Sequence, residues 1–235
     1  MGINYSPKIV TDGLVLCLDA ANPLSYPGSG NTWYDISGNN RHYTIDPTYV
    51  SWNTNKYFDV SYAGSVFAFV GPASNTFDFN SDMQHTIFCF MDIGVAYSSS
   101  FFYWAATPSV GTDQRAIFTH APWGNYFFYD VGGCCGGTQR ISSSTLGGEL
   151  TSDGFFCGTW RTRVGTSPVK QFFKNGVSVL SGHTSTATMT WNLTTTAGIA
   201  SRWSGKISNF IVYNKALDDQ EIQQNYTALK GRFGL

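Results

Sequence analysis

The chain has 235 residues, of which 42% are hydrophobic and 16% aromatic but only 12% charged, whereas an average globular protein has about 25% charged residues. This composition excludes a disordered chain and long solvent-exposed helices, and the length favours a single β-rich domain. Fourteen Lys and Arg against fifteen Asp and Glu give a net charge of −1. We therefore expect neither nucleic-acid binding nor attachment to a membrane.

The chain begins with a segment that precedes any predicted strand. We interpret residues 1–11 as an N-terminal arm and residues 12–235 as a single domain. The first ten residues contain one lysine and no apolar run of seven, which predicts no secretory signal peptide. In the strand predicted at 14–19, leucines alternate with mixed residues, so one face is fully apolar and we expect the strand near the middle of a sheet.

A turn rich in Asp and Asn follows, Asp35-Ile36-Ser37-Gly38-Asn39-Asn40. Oxygens from Asp35, Asn39 and Asn40 are of the hard type that Ca²⁺ prefers. The favoured interpretation is structural, because Asp and Asn side chains in such turns commonly bond to their own backbone. We therefore expect no cofactor, with calcium at this turn as the minor alternative.

The middle of the chain consists of short runs of β-branched and aromatic residues separated by Gly, Ser, Asn and Pro. This pattern predicts an antiparallel β-sandwich. Besides 14–19, the predicted strands are 86–92, 101–105, 115–119, 125–130, 155–161, 169–173, 177–180, 195–200 and 207–213. Asn175-Gly176 separates two of them and predicts a type I′ hairpin turn.

The five cysteines are an odd number without metal-ligand spacing. Cys17, Cys89 and Cys157 lie in apolar runs, where free thiols behave as small core residues. Cys134 and Cys135 lie between two pairs of glycines, which predicts a tight exposed turn. A redox or metal role for this turn is the less favoured alternative.

Exposed aromatic rings beside polar side chains are typical of carbohydrate-binding sandwiches. The polar turn around Trp123 predicts such a platform, and the candidate binding residues are Trp123, Asn125, Tyr126 and Trp33. The alternative is that these rings fill the core, since each aromatic side chain buries roughly 150–250 Å².

Only one stretch predicts a helix, from Asp218 to Lys230. Asp218 and Glu221 have the spacing of a capping box, and Leu217 and Ile222 that of a hydrophobic staple. Ile222, Tyr226 and Leu229 form one apolar stripe, and Gly231 follows as a C-cap.

Several motifs together suggest a family. The run from Trp203 to Asp218, with Gln220-Glu221-Ile222, resembles the closing signature of laminin-G-like, concanavalin-A-like lectin and glucanase domains. The turn at Asp35 and the hairpin Lys174-Asn175-Gly176 also resemble family motifs. The segments 13–23 and 230–235 look like the version found in virion proteins of tailed phages, notably those infecting cyanobacteria. One departure is Tyr57-Phe58-Asp59-Val60, which stands where the family has Phe-Asp-Gly.

The resemblance implies an all-β fold: a two-sheet antiparallel jelly-roll β-sandwich of the concanavalin A type with one short C-terminal helix. It further implies a virion structural protein, as a capsid decoration, fibre, or neck or tail adornment, assembled in the host cytoplasm. Its partners would be the major capsid protein, neck or tail proteins and copies of itself, with contact to host surface glycans. The alternative is a carbohydrate-binding adhesion module whose main role is recognition of host polysaccharide.

Some members of the family that the chain resembles are glycoside hydrolases, so we look for their catalytic carboxylates in this sequence. Retaining glycoside hydrolysis needs two close carboxylates, which in this fold come from one strand with a Glu-x-Asp-x-x-Glu pattern. The chain contains only two glutamates, Glu149 and Glu221, and lacks the pattern. The four histidines have no metal-ligand spacing. We therefore expect no catalytic residues, no metal ligands and no enzymatic activity.

Overall fold

The computed structural model describes residues 8–61, 64–77, 79, 84–105, 107–108, 115–132, 139–163, 169–182, 189–190 and 195–235. Residues 1–7 of the predicted arm and the Cys134-Cys135 pair lie outside this part of the chain. The strands are β1 Leu14–Asp19, β2 Thr32–Trp33, β3 Tyr43–Ile45, β4 Val50–Asn53, β5 Tyr57–Val60, β6 Phe67–Ala73, β7 His85–Ala105, β8 Thr107–Pro108, β9 Arg115–Trp123, β10 Tyr126–Val131, β11 Arg140–Ser143, β12 Phe155–Thr162, β13 Lys170–Lys174, β14 Val177–Gly182, β15 Met189–Thr190, β16 Thr196–Ile207 and β17 Asn209–Tyr213. The helices are α1 Leu146–Ser152 and α2 Asp219–Lys230, with a 3₁₀ turn at Ser74–Thr76.

Two antiparallel layers are joined by long strands that belong to both. The first half of β7 pairs with β12 and β17, in a layer ordered β14-β13-β12-β7-β17-β1. Its second half pairs with β9 and β16, in a layer ordered β11-β10-β9-β7-β16-β6-β3-β2. The end of β16 pairs with β5, which continues to β4. The predicted all-β antiparallel sandwich is confirmed, and the predicted strands 86–92 and 101–105 are parts of one strand.

The core between the layers is dominated by aromatic rings. The Trp160 ring lies 5.1 Å from that of Phe102, and its indole N–H donates to Thr119 Oγ1 at 3.1 Å. Trp104 stacks on Phe210 with ring centroids 5.8 Å apart. These contacts join β12 and β17 of one layer to β7 and β9 of the other, so burial of large rings holds the layers together.

Strand β1 has the predicted bounds, but its predicted place near the middle of a sheet is wrong. Within the described residues it pairs only with β17. Cys17 of this strand packs in a second buried cluster, together with Ile222 and Leu229 of α2. The Cys17 amide donates to Asp35 Oδ1, and its carbonyl accepts from the Ile36 amide. A helix and a loop therefore bury and satisfy this strand where a neighbouring strand was expected.

Helix α2 begins as the sequence predicts. Asp218 accepts a hydrogen bond from the Glu221 amide, and the Glu221 side chain accepts from the Asp218 amide. Asn225, within the apolar stripe, accepts from the Val10 amide at 2.7 Å, and the Val10 carbonyl accepts from the Tyr213 hydroxyl. Residues 8–11, assigned to the arm, therefore include a segment docked on α2. The expectation of a single helix is wrong, because α1 also forms.

The local turn predictions can be compared with backbone angles. Asn175 and Gly176 have φ of 52° and 79°, which are the two positive values that a type I′ turn requires. Lys174 pairs with Val177 across this turn. The predicted hairpin is confirmed. In the described part of the chain, no helix is long and apolar enough to cross a membrane.

Candidate functional site

The turn between β9 and β10 carries three of the four predicted carbohydrate-binding residues. Trp123 pairs with Tyr126, so Gly124 and Asn125 form a two-residue hairpin turn. Gly124 has φ of 58°, and a glycine with positive φ at the first central position is typical of a type II′ turn. The sequence therefore folds here into a tight tip that carries Trp123 and Tyr126 on its two flanks.

A β-bulge sets the direction of the Trp123 side chain. The register shifts between the pairs Tyr126–Trp123 and Phe128–His120, so β9 has one residue more than β10 over this interval. Strict alternation from His120 would turn Trp123 to the opposite face of the sheet. The extra residue returns it to the outer face, which is a common use of bulges beside functional sites.

The two exposed rings rest on two less exposed ones. Tyr126 stacks on Phe128 with centroids 5.7 Å apart and planes within 7°, and Trp123 lies 4.7 Å from the His120 ring. Trp123 and Tyr126 are 49% and 50% exposed, and Asn125 between them is also exposed. We call Trp123, Asn125 and Tyr126, with His120 and Phe128 beneath them, the hairpin site.

A buried ion pair holds the base of the hairpin site. The Arg140 guanidinium lies 4.3 Å from the Phe128 ring centroid. It donates from Nε and Nη2 to the two oxygens of Asp130, each at 2.6 Å. Asp130 is fully buried, so the bidentate geometry fixes the arginine plane over the ring. Arg140, His120 and Phe128 were not predicted; their signal is the polar and aromatic alternation along β9 to β11.

Helix α1 packs directly against the hairpin backbone. A Cβ atom on Gly147 would lie 2.6 Å from the Tyr126 carbonyl oxygen and 2.7 Å from the carbonyl carbon of Asn125. The Gly148 amide donates to the Asn125 carbonyl at 3.3 Å. Such a close approach requires a residue without a side chain at position 147. The glycines in α1 therefore brace the turn from below.

Trp33 is not part of this site, and its inclusion among the binding residues is corrected. It is fully buried, with its ring 4.8 Å from that of Phe58 and 5.2 Å from that of Phe69. A ring that stacks on a sugar needs an exposed face, but the Trp33 ring is in contact with other core rings and has no exposed face. The structural alternative for aromatics, core filling, applies here.

The Asp35 turn has the structural role that the sequence favoured. Asp35 Oδ1 accepts from the amides of Cys17 and Ser37, and Oδ2 accepts from the Ser37 hydroxyl and the Arg41 amide. Asn39 donates its side-chain amide to the carbonyls of residues 14 and 15. Four donors within the chain therefore bind the Asp35 carboxylate.

The fold resembles parts of larger solved structures. Trypanosoma rangeli sialidase in complex with sialic acid matches with 14% identity and a TM-score of 0.60 over 94% of this chain and 33% of that chain. Two structures of the binding domain of botulinum neurotoxin DC, one in complex with rat synaptotagmin II and one in complex with SialylT, each match with 15% identity and a TM-score of 0.65 over 94% of this chain and 52% of that chain. No family model and no curated protein sequence matches the chain.

These comparisons contradict one prediction. The expectation that the protein is not an enzyme is wrong as argued, because solved chains that share the fold are sialidases, which are enzymes. The missing Glu-x-Asp-x-x-Glu pattern tests only one arrangement of carboxylates and does not exclude catalysis. The chain spans about a third of the sialidase chain. At these identities the likeness shows an all-β fold alone; it shows neither the concanavalin A assignment nor a virion role.

Proposed function

We propose that this chain is a carbohydrate-binding domain whose hairpin site stacks against sugar rings. The observation that carries the proposal is the bulge in β9, which brings the half-exposed rings of Trp123 and Tyr126 to one face on either side of Asn125. Large exposed aromatic rings next to polar groups are well suited to ligands with one apolar face and many hydroxyls.

The support beneath the rings favours binding over a chance exposure of apolar surface. Tyr126 is stacked on Phe128, and Phe128 is covered by Arg140, which is itself fixed by Asp130. A ring held in place loses little conformational entropy when a ligand covers it, so more of the contact energy remains as affinity. The similar sialidase and neurotoxin binding domain, in complex with sialic acid and with SialylT respectively, support the same class of ligand.

The experiment is a glycan array followed by titration calorimetry on the best ligand, comparing Trp123→Ala with the intact chain. We expect at least a tenfold loss of affinity, which is about 1.4 kcal/mol. Tyr34→Ala is the matched control, since Tyr34 is 42% exposed and lies next to β2, away from the hairpin; its affinity should stay within twofold. Unchanged binding by Trp123→Ala would remove the hairpin site from the proposal.

The resemblance in sequence carries a second candidate function. The run from Trp203 to Asp218, together with 13–23 and 230–235, supports a place on a tailed-phage particle, in contact with capsid or neck and tail proteins and with copies of the chain. We propose this placement on those motifs alone. Mass spectrometry of purified particles, with copy number measured, tests it, and absence from the particles would refute it.

A further inference from the structure

A concave surface that shares no residue with the hairpin site lies where the end of β16 pairs with β5. This cleft has a volume of about 430 Å³, within the range of about 300–1,000 Å³ typical of small-molecule sites. Its polar lining includes Ser51, Asp59, Ser61, Asp92 and Lys206.

The charged residues of the cleft form one row across adjacent strands. Asp59 of β5 pairs with Lys206 of β16, and Lys206 pairs with Asp92 of β7. Ser51 of β4 extends the row, since it pairs with Asp59. Directly opposed residues in antiparallel strands point to the same face. The register therefore lines up a hydroxyl, a carboxylate, an ammonium and a second carboxylate on one surface.

Within this row Lys206 forms an ion pair with Asp92. Its ammonium donates to Asp92 Oδ2 at 2.6 Å, and it lies 5.8 Å and 5.7 Å from the ring centroids of Tyr57 and Phe155. The hydrogen bond to Asp92 raises the pKa of Lys206, although burial acts in the opposite direction. The lysine is thus charged at neutral pH and neutralises one carboxylate.

Asp59 has remaining capacity for hydrogen bonds. Its Oδ2 accepts from the Asn53 side-chain amide at 3.0 Å, whereas a carboxylate offers roughly four lone-pair sites, and Asp59 lines the cleft. Gly94 and Gly205 also line the cleft. A Cβ on Gly205 would collide with the Asp92 carbonyl oxygen, so the strands approach closely there.

We infer that the cleft is a second ligand site, which binds a neutral saccharide through hydroxyl groups that donate to Asp59 and Asp92. Carboxylates only accept hydrogen bonds, so they select a ligand rich in O–H donors. Two carboxylates and one ammonium give this lining a formal charge of −1, which disfavours an anionic sugar. A divalent cation is also disfavoured, because the Lys206 ammonium stands between the two carboxylates in the row.

The inference does not depend on the hairpin site, and its test is made in a chain that carries Trp123→Ala. This chain is titrated with maltotriose, cellotriose and mannotriose, and with 3′-sialyllactose as the anionic comparison. We expect saturable binding of at least one neutral trisaccharide, at least tenfold tighter than that of sialyllactose. Asp59→Asn should weaken it at least tenfold, whereas Asp12→Asn, which changes an exposed carboxylate paired with Lys215, should leave it within twofold.

A second variant separates loss of binding from loss of folding. Ser51 is exposed on β4, so Ser51→Tyr should fill part of the cleft while both carboxylates stay in place, and binding should fall at least tenfold with the urea midpoint unchanged. Absence of binding by all three neutral trisaccharides, or equal binding by the Asp59→Asn chain, overturns the inference. Either result leaves the hairpin proposal standing, because that proposal is tested at Trp123 in the otherwise unchanged chain.

Discussion

Alanine at position 147 tests how the hairpin site is held in place. Gly147 and Gly148 are neighbours in the first turn of α1, and alanine normally stabilises a helix by up to about 1 kcal/mol relative to glycine. On helix propensity alone, both substitutions should stabilise the protein. The packing against the hairpin predicts opposite signs for the two.

The geometry gives the magnitude. At Gly147 the new Cβ would lie 2.6 Å from the Tyr126 carbonyl oxygen, and at Gly148 it would lie 3.1 Å from Asn125 Oδ1. The first contact is with backbone, and restoring an ordinary 3.4 Å separation requires a backbone shift of about 0.8 Å, of the kind that costs about 1–3 kcal/mol in packed sites. The second contact is with a side chain that can rotate away. After a gain in propensity of about 1 kcal/mol, we expect Gly147→Ala to lose up to about 2 kcal/mol and Gly148→Ala to be neutral or stabilised.

Urea unfolding at constant slope measures both free energies, and titration with the best glycan from the array measures the effect on the site. Gly147→Ala should also weaken glycan binding, because the displaced helix no longer supports Asn125 and Tyr126. Gly231→Ala serves as a control, since nothing lies within 4 Å of its added Cβ. If Gly147→Ala were as stable as Gly148→Ala and bound glycan equally well, the bracing role of α1 would be refuted.

Three further predictions concern stability. Burial raises the pKa of the Cys17 and Cys157 thiols from 9.0 to about 12. The contribution of these thiols to the stability of the folded chain is fully present below pH 9 and is lost as the pH rises towards 12, so each thiol should lower the free energy of unfolding by about 1.4 kcal/mol at pH 10. Replacing both by alanine should flatten the pH dependence of urea unfolding between pH 8 and 10. Asp218→Ala removes the capping box and should cost about 1 kcal/mol in the same assay, whereas Asp218→Asn should cost less. Thr119→Val leaves the Trp160 indole N–H without its acceptor and should cost about 1–3 kcal/mol, with Thr119→Ser much closer to the unsubstituted chain.

Local chemistry was predictable where a few adjacent residues decide the conformation. The capping box at Asp218 and the turn at Asn175-Gly176 each depend on side chains or backbone angles within four residues, and both form as predicted. The strand bounds of β1 were also predictable. Its position was not, because a strand buried on both faces can lie between two strands or, as here, beneath a helix.

The helix α1 shows why a local rule can fail for a physical reason. Two adjacent glycines argue against a helix on propensity, since each costs about 1 kcal/mol relative to alanine. At Gly147 the missing side chain is what allows the helix to contact the hairpin backbone. The compensation comes from a contact with residues far away in sequence, so propensity alone could not predict it.

The candidate sites were only partly predictable. Trp33 and Trp123 both lie near polar turns, yet the first is fully buried and the second half exposed; the difference depends on which strands pack against each ring. The cleft left two traces in the sequence. Asp59 lies in Tyr57-Phe58-Asp59-Val60, the segment that stands where the family has Phe-Asp-Gly, and Asp92 interrupts an otherwise apolar run. Neither position indicates the other, because only strand pairing places both beside Lys206.

Both candidate sites lie beside an irregularity in strand pairing. In β9 the extra residue turns Trp123 outward. Where β16 pairs with β7, the register shifts twice before Gly205, because β7 has three more residues than β16 between the pairs Ser201–Ser100 and Gly205–Ile93. Beyond these shifts Lys206 pairs with Asp92 on one side and with Asp59 on the other. A bulge reverses the face of every residue beyond it, so period-two reasoning from His120 assigns the wrong face to Trp123. The bulge brings Trp123 to the face of Tyr126, and direct strand pairing brings Asp59, Lys206 and Asp92 to one face of the cleft, which is why we place ligand binding on these two surfaces.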